Sequence, residues 1–443
     1  MRSSAIKGQL FYVVLVVGLF VLMATMFSST TYDVPGMVIV GMALAIGMGM
    51  FLIPRLARGE DQSFLLTLLY LGFAAKMLGS VARLGMSLLF YGFQDVGLYH
   101  RRGTEIAGQL YQLDFGGIFE NVEVGTEFTE FYTGVVYAFI GPTLYGGFLL
   151  FGALSFLGSY FFYKAFRVAF PEARHRLYGW LVFLYPAVVY WPNGIGKDAL
   201  MALFIGLSAY GAAVLLVRSK FSALVPLSIG LAGCVTIRPH VAGMLVIGLM
   251  LAFLLRRGVP EARARVVKLT VLGVGLVLAL IATPALLDYV GLNSLSVEDT
   301  QAYFAGEEGE GGSAFTAPAM TSPAFFPTAV VTVLFRPFFL VETHNLQAMI
   351  QGLDGVVLAM LLAWRFPSLV QALRSFRSSP YIVLILVYLA LLMMALMVVA
   401  NFGTLARERS MVIPMLLMLV ALPSRKEIRE RQAAEAAVAG EGT

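Results

Sequence analysis

Five short polar clusters interrupt a sequence that is otherwise almost wholly apolar, and each contains an arginine or a lysine. Several of these basic residues stand beside a histidine, an acidic residue or a proline. Arginine presents a planar fork of donors that binds a pair of phosphate oxygens, and lysine binds phosphate as a point charge. The clusters therefore predict a surface that binds an anion. They occupy residues 95–105, 191–198, 238–240, 334–345 and 403–409.

The first cluster has the residue types of a site that accepts a proton. In a helix, Asp95, Tyr99 and Arg102 would share one face because they follow one another by four and three residues. A carboxylate beside basic groups is held ionised and can take a proton from a hydroxyl nucleophile. We therefore predict Asp95, with Tyr99 and His100, as the catalytic group. The same pattern is also typical of a solvated helix start with an interfacial tyrosine.

The later clusters repeat one arrangement, a basic residue at the end of an apolar run. In the second, an Asn-Gly turn precedes Lys197 and Asp198, and Asp198 near a helix N-terminus would leave Lys197 available to an anion. A single arginine in such a place is most often an interfacial anchor. Because several clusters share the arrangement, we interpret them together as an anion-binding face. Their predicted binding residues are Arg238, His240, Arg336, His344, Arg407 and Arg409.

The composition indicates an integral membrane protein. Hydrophobic residues make up 59% of the chain and charged residues 13%, with a mean hydropathy of +0.83. Soluble proteins have about 25% charged residues. A helix needs about 20 apolar residues to cross a bilayer, and on that measure we predict about twelve spans. They cover residues 9–28, 35–54, 64–91, 143–165, 177–192, 198–217, 221–237, 241–255, 269–287, 346–364, 380–402 and 411–423.

The basic residues predict the orientation of these spans. All but nine of the 31 Lys and Arg residues fall in alternate breaks between spans, beginning with Arg2 and Lys7. By the positive-inside rule those breaks are cytoplasmic, and so are both termini. The nine exceptions lie within spans or on the outer face. They are Lys76, Arg83, Arg101, Arg102, Lys197, Arg238, Arg336, Arg407 and Arg409.

The same pattern predicts an all-α polytopic fold with one transmembrane domain over residues 1–423. Two longer outer loops cover about residues 94–129 and 288–328, and residues 424–443 form a disordered cytoplasmic tail. Within the third span, Lys76 and Arg83 share a helical face. A charge in a span marks a functional site by default, so Arg83 should face a polar cavity, with Asp354 as a possible partner. Lys76 should extend toward the inner surface.

Several functional classes lack their sequence signals. The net charge of +5 does not indicate a nucleic-acid partner, because the excess is spread over short inner segments. The single cysteine, Cys234, excludes an intrachain disulfide framework and a thiolate metal site. The sequence contains no phosphate loop, nucleotide-binding fingerprint, His-rich metal spacing or G-x-S-x-G motif. We predict no metal ligands, and a divalent cation is not indicated.

The order of the motifs resembles a known superfamily. An Asp in the first large outer loop is followed by G-I-G-K-D, R-P-H, F-R-P-F and R-x-R before a proline. This order is similar to that of the polyprenyl-phosphate-dependent glycosyltransferases of the GT-C superfamily and of related bacterial surface-polysaccharide polymerases. The resemblance implies that Asp95 is the base on the acceptor. It implies that the lipid phosphate is held by Lys197, Arg238, Arg336, Arg407 and Arg409.

The sequence thus predicts a glycosyltransferase of bacterial inner-membrane type, acting on the extracytoplasmic face in cell-surface glycan assembly. It would move a sugar or oligosaccharide from a polyprenyl-phosphate-linked donor to a glycan or lipid acceptor. Arg83 and Arg102 complete the predicted donor-binding set. Two other classes stay open: a flippase for a lipid-linked saccharide or another anion transporter, and a non-enzymatic membrane assembly subunit. A transporter would carry basic residues along its whole pathway, whereas here they gather at the outer ends of spans.

Overall fold

The computed structural model describes residues 33–59, 61–119, 122–256, 325–343, 346–397 and 401–441, together with residues 14, 17, 18, 273 and 399. Within these ranges the regular elements are helices, so the fold is all-α. In chain order they are α1 Val34–Leu56, α2 Gln62–Met86, α3 Gln94–Tyr111, α4 Phe115–Phe119, α5 Thr126–Ile140, α6 Leu144–Ala169, α7 His175–Leu184, α8 Pro186–Tyr190, α9 Lys197–Ala213, α10 Leu224–Ile237, α11 Pro239–Leu254, α12 Phe325–Phe335, α13 Leu346–Trp364, α14 Phe366–Arg374, α15 Pro380–Leu396, α16 Phe402–Arg409, α17 Ile413–Val420 and α18 Arg425–Glu441.

Five of the described helices are long and apolar enough to cross a membrane, which is typical of a multi-pass membrane protein. They are Val34–Leu56, Gln62–Phe90, Leu144–Ala169, Lys197–Arg218 and Leu346–Trp364. Four more apolar helices are shorter, namely Phe221–Ile237, Pro239–Leu254, Phe326–Phe335 and Pro380–Leu396. Apart from residues 14, 17, 18 and 273, the predicted spans over 9–28 and 269–287 lie outside the described residues, as do residues 288–324 of the second predicted loop.

Two predicted spans differ from the helices observed. Residues 177–192 form two short helices, α7 and α8, that meet at Tyr185 and Pro186. Proline has no N–H for the helix ladder and disfavours helical backbone at the residue before it, and Tyr185 is extended. Within 411–423, the helix α17 covers only Ile413–Val420. The count of twelve spans is therefore not established by these helices.

The chain divides into two compact units. Unit 1 consists of residues 1–161, 179–206 and 236–238, and unit 2 of residues 162–178, 207–235 and 239–443. The sequence predicted a single domain over 1–423. That single domain stays a prediction.

Helices in unit 1 approach one another closely at glycines. A side chain on Gly79 of α2 would collide with the carbonyl oxygen of Val189 in α8. Gly103 of α3 faces Thr133 of α5, and Gly134 of α5 faces Ile106 of α3 in the same way. Small residues let helix backbones come together without a hydrophobic driving force, as in membranes. These contacts fix α3 against α5 and α2 against α8.

In unit 2 the C-terminal residues form the helix α18, where the sequence predicted disorder. Its Ala- and Glu-rich composition has high helix propensity, which explains the difference. Glu427 in its first turn accepts hydrogen bonds from the Ser424 N–H at 2.7 Å and from Arg365 Nη1 at 3.0 Å. These hydrogen bonds attach the first turn of α18 to Arg365.

Candidate functional site

The centre of the site in unit 1 is the carboxylate of Asp198, which two arginines approach. Arg83 Nη2 lies 3.8 Å from Asp198 Oδ2, and Arg238 Nη2 lies 3.5 Å from Asp198 Oδ1. Both Asp198 and Arg238 are buried. Arg83 comes from the third predicted span, whereas Asp198 and Arg238 come from two of the polar clusters, so the fold brings together charges that are distant along the chain. We call this set the Asp198 cluster.

The turn before Asp198 also holds Arg83. The Arg83 guanidinium donates to the carbonyl oxygen of Trp191 and lies 5.5 Å from the centre of its indole ring. The turn bends at Gly194 and Gly196, whose φ angles of 108° and 150° are accessible to glycine but strained for other residues. The two glycines of the predicted turn, Gly194 and Gly196, are therefore required by its backbone.

Lys197 connects this turn to helix α5. Its ammonium donates to the hydroxyl of Thr126, in the first turn of α5, at 3.0 Å. On the other side, Tyr99 of α3 packs against the turn, because a methyl group on Gly196 would lie 3.5 Å from the Tyr99 ring. The predicted residue Tyr99 thus packs against the turn that leads directly into Lys197.

The start of α5 is also attached to the chain just before Arg238. The Gly125 N–H donates to the Thr236 carbonyl at 2.9 Å, and the hydroxyls of Tyr132 and Thr236 are 3.0 Å apart. Helix α5 is therefore held both by the turn that carries Lys197 and by the segment that carries Arg238.

A polar cleft of about 120 Å³ lies between α3, α4 and α5. Glu130 lies one helical turn after Thr126, on the same side of α5. Its carboxylate is 3.7 Å from Arg102 Nε, and Arg102 Nη1 is 2.6 Å from Glu105. The polar lining residues are Arg102, Glu105, Gln109, Glu127 and Glu130.

The Glu130 carboxyl is the perturbed group of this cleft. It is buried, and burial raises its pKa. The charge of Arg102 opposes that change, whereas Glu127 and Glu105 add to it, and the net result is a raised pKa. A carboxyl group with a raised pKa in a cleft is a candidate for proton transfer.

The two other predicted catalytic residues of α3 have different surroundings. Asp95 is exposed in the first turn of α3, where its charge is favoured by the helix dipole. His100 Nδ1 lies 2.7 Å from the hydroxyl of the buried Tyr137. Burial lowers the pKa of His100 and the charge of Asp33 partly offsets this, so His100 is favoured in its neutral form.

Lys76, in the same unit, is fully buried. The sequence had instead predicted that its side chain extends toward the inner membrane surface. Its ammonium donates to Ser155 Oγ at 2.6 Å and to the Val188 carbonyl at 2.5 Å. The Asn193 side chain in turn donates to the Lys76 carbonyl at 3.1 Å. These bonds join α2, α6, α8 and the turn that leads to Asp198.

Two of the predicted arginines of unit 2, Arg336 and Arg409, lie in ion pairs. Arg336 grips Glu342 with two nitrogens, Nε at 2.9 Å and Nη2 at 2.5 Å from Oε1, and its guanidinium lies 5.3 Å from the Phe402 ring centre. Burial would raise the pKa of Glu342, but hydrogen bonds from Arg336 and from the Phe338 N–H lower it. Arg336 is thus bound to an acid six residues further along the chain.

The buried Arg409 occupies the neighbourhood of that pair. It donates to the Arg336 carbonyl, and its Nη1 lies 4.0 Å from Asp354 Oδ2. Asp354 was the predicted candidate partner of Arg83, and the contact described for it is with Arg409. Arg407 and His240 are half-buried, and His344 lies outside the described residues.

Sequence reasoning found the members of the Asp198 cluster but not their pairing, and it missed Glu130. The signal for Glu130 is that it is the last charge before the apolar run 131–140. The predicted convergence of Asp95, Lys197 and Arg238 with Arg336 and Arg407 stays a prediction. Among the described residues, no group of three or more His, Cys, Asp or Glu is arranged to hold a metal ion.

No protein-family model, curated protein sequence or solved structure matches this chain.

Proposed function

We propose that the chain is a membrane glycosyltransferase that uses a polyprenyl-phosphate-linked donor. The observation that carries the proposal is the Asp198 cluster, where Arg83 and Arg238 converge on one carboxylate beside Lys197. Guanidinium and ammonium groups near the end of spanning helices suit the phosphate of a lipid that enters from the bilayer. The same charges would stabilise the phosphate as it leaves the sugar.

The proposal includes a topology. About twelve spans would place both termini in the cytoplasm and the Asp198 cluster at the outer surface. The five long apolar helices support a multi-pass arrangement, and the distribution of basic residues supports the orientation. The acceptor, a glycan or a lipid, would reach the site from the outer face.

The cleft beside α5 supplies a second candidate for the base on the acceptor hydroxyl. Asp95 is exposed, whereas Glu130 is buried, has a raised pKa and lies next to Arg102. A general base works best when its pKa is near the working pH. We therefore assign proton transfer to Glu130 in preference to Asp95. Thr126, which accepts a hydrogen bond from Lys197, lies one helical turn before Glu130 on the same face of α5.

The assignment is tested with the full chain in vesicles that contain a radiolabelled polyprenyl-linked sugar and a candidate acceptor. Glu130→Gln keeps the shape of the side chain and removes its basicity. We expect transfer to fall about a hundredfold or more, the range of general-base contributions, with donor binding retained. Asp95→Asn is the matched control and should retain transfer.

Three outcomes separate the alternatives. Loss of transfer in Asp95→Asn with an active Glu130→Gln would move the base to Asp95. A wild-type chain that carries the labelled lipid across the bilayer without forming a glycosidic bond would identify a flippase. A chain that neither binds nor moves the lipid would leave the assembly-subunit reading and end the transferase proposal.

A further inference from the structure

Helix α14 buries small residues on one face and exposes large apolar residues on another. It follows the spanning helix α13 directly, with only Arg365 between them. Toward the protein it buries the small residues Ser368 and Ala372, which are 0% and 1% exposed. Its bulky apolar residues Phe366 and Leu373 are instead 62% and 61% exposed. The large apolar residues of α14 therefore do not pack in the protein core, and they form an exposed apolar surface.

The exposed apolar surface of α14 continues that of the spanning helix. Along α13, Leu353 and Met360 are exposed, and Trp364 at its end is 62% exposed. Exposed apolar side chains on a spanning helix are covered by lipid tails. Tryptophan is enriched where the tails give way to head groups. The exposed Trp364 at the end of this candidate span therefore favours a start of α14 at the depth of the lipid head groups.

Basic side chains flank this apolar face. Arg374 in the last turn of α14 and Arg377 just after it are both exposed. On a helical wheel, Arg374 lies at the edge of the stripe formed by Phe366, Val370 and Leu373. The sequence has no Asp or Glu between Asp354 and Glu408, so no acidic side chain of this stretch neutralises these arginines.

The orientation of α14 is fixed by Arg365, the residue that precedes it. Arg365 is buried, and its guanidinium donates to the carbonyls of Val420 at 3.0 Å and Leu422 at 2.8 Å and to Glu427 at 3.0 Å. These bonds attach the start of α14 to the end of α17 and to α18. The apolar stripe and its arginines are therefore presented by a rigid support, not by a free tail.

We propose that α14 is an interfacial helix that binds anionic phospholipid head groups. Its apolar stripe enters the boundary between head groups and tails, and Arg374 and Arg377 contact lipid phosphates. This arrangement has the two features of interfacial helices, buried apolar area and attraction to anionic lipid. It is independent of the proposed transferase activity, because it involves none of the residues of the Asp198 cluster.

The test uses Trp364 as the reporter. The chain has three tryptophans, and Trp180→Phe with Trp191→Phe leaves Trp364 as the single emitter. The full chain is placed in nanodiscs of phosphatidylcholine, into which equal fractions of brominated phosphatidylglycerol or brominated phosphatidylcholine are introduced. We expect both to quench Trp364 and the phosphatidylglycerol to quench it more strongly. A basic residue near a membrane surface contributes about fivefold, so each arginine removed should lower the enrichment about fivefold.

The variants separate charge from shape. Arg374→Gln with Arg377→Gln should abolish the preference for phosphatidylglycerol, whereas Arg374→Lys with Arg377→Lys should keep most of it. Arg101→Gln, an exposed arginine of unit 1, is the matched control and should change nothing. Millimolar inorganic phosphate should not displace the lipid; displacement would show a discrete phosphate site in place of a membrane surface.

Two results would overturn the proposal. Equal quenching by the two brominated lipids would remove the anionic preference. Absence of quenching by either lipid would show that α14 does not face the bilayer, and cross-linking of Leu373→Cys between two chains would then assign the surface to a second copy.

Discussion

The arginines of unit 1 and those of unit 2 come from similar sequence patterns but occupy different electrostatic settings. In unit 1, the guanidiniums of Arg83 and Arg238 share the single carboxylate of Asp198. In unit 2, Arg336 grips Glu342 and Arg409 approaches Asp354, so each of these arginines contacts a carboxylate of its own. A polar cluster at the end of an apolar run can therefore place two arginines on one carboxylate or pair one arginine with one carboxylate.

This difference reorders the candidate residues. A carboxylate that already grips a guanidinium in bidentate fashion competes with an incoming phosphate for the same donors. If the proposed donor phosphate binds here, we therefore expect Arg336 to be a weaker ligand for it than Arg83 or Arg238. The F-R-P-F motif is then explained by its pairing with Glu342 and by the contact of Arg336 with Phe402. Four predictions test this contrast, in order of decreasing effect.

The largest effect is expected from Asp198→Asn, which leaves two partly buried guanidiniums around a neutral amide. Removing one partner from a buried ion pair costs about 3–5 kcal/mol. Thermal unfolding in detergent should show a clear loss of stability. Combining Asp198→Asn with Arg238→Gln should restore only part of it, because Arg83 still faces the amide. Full restoration by Arg238→Gln would mean that Arg83 is not part of the cluster.

The second prediction concerns phosphate binding. Arg83→Gln should weaken the binding of a polyprenyl phosphate at least about tenfold, since a hydrogen bond to a charged group contributes about 1.5–3 kcal/mol. Arg336→Gln is the matched control in unit 2 and should change binding much less. Native mass spectrometry of the chain with the lipid measures both. A larger loss in Arg336→Gln than in Arg83→Gln would reverse the contrast between the two units.

The third prediction concerns the ion pair of unit 2. Glu342→Gln should destabilise the chain by about 1–3 kcal/mol, because it leaves the Arg336 guanidinium without its carboxylate. The double variant Arg336→Met with Glu342→Leu should recover most of the loss, since no charge is then left behind. A double-mutant cycle on unfolding temperatures gives the coupling between the two residues. Additive losses would show that the pair does not act as a unit.

The sequence predicted the five long apolar helices but not how the charges combine. Hydropathy is a local property, so α1, α2, α6, α9 and α13 followed from the apolar runs. The break at Pro186 was not predicted, because residues 177–192 were interpreted as one span despite the proline within them. The pairing of Arg83 with Asp198 depends on how two distant segments pack. Burial raises the pKa of Glu130, and a single sequence does not reveal which side chains are buried.

Two arginines, Arg174 and Arg365, also pair with the single carboxylate of Glu427 in unit 2. Two arginines on one carboxylate therefore do not by themselves indicate a ligand-binding site. Arg365 Nη1 lies 3.0 Å and Arg174 Nη2 2.6 Å from Glu427 Oε1. Arg365 also donates to the carbonyls of Val420 and Leu422, at the negative end of α17. This arrangement joins three segments of unit 2, and its expected effect is on the attachment of α18.

The smallest expected effect is that the attachment of α18 through Glu427 weakens at low pH. Burial alone would raise the pKa of Glu427, but hydrogen bonds from Arg365 and the Ser424 N–H, with the charges of Arg365 and Arg174, lower it from 4.5 to about 2. A lowered carboxyl pKa stabilises the fold above pH 4.5, and the contribution is lost as the pH falls from 4.5 toward 2. Hydrogen exchange over residues 425–441, corrected for intrinsic rates, should therefore be faster at pH 3 than at pH 6. In Glu427→Gln the exchange should be fast at both pH values, whereas Glu430→Gln, an exposed site paired with Lys426, should behave as wild type. Equal exchange of the wild-type helix at both pH values would remove Glu427 as its attachment and leave Arg365 with the carbonyls of α17 alone.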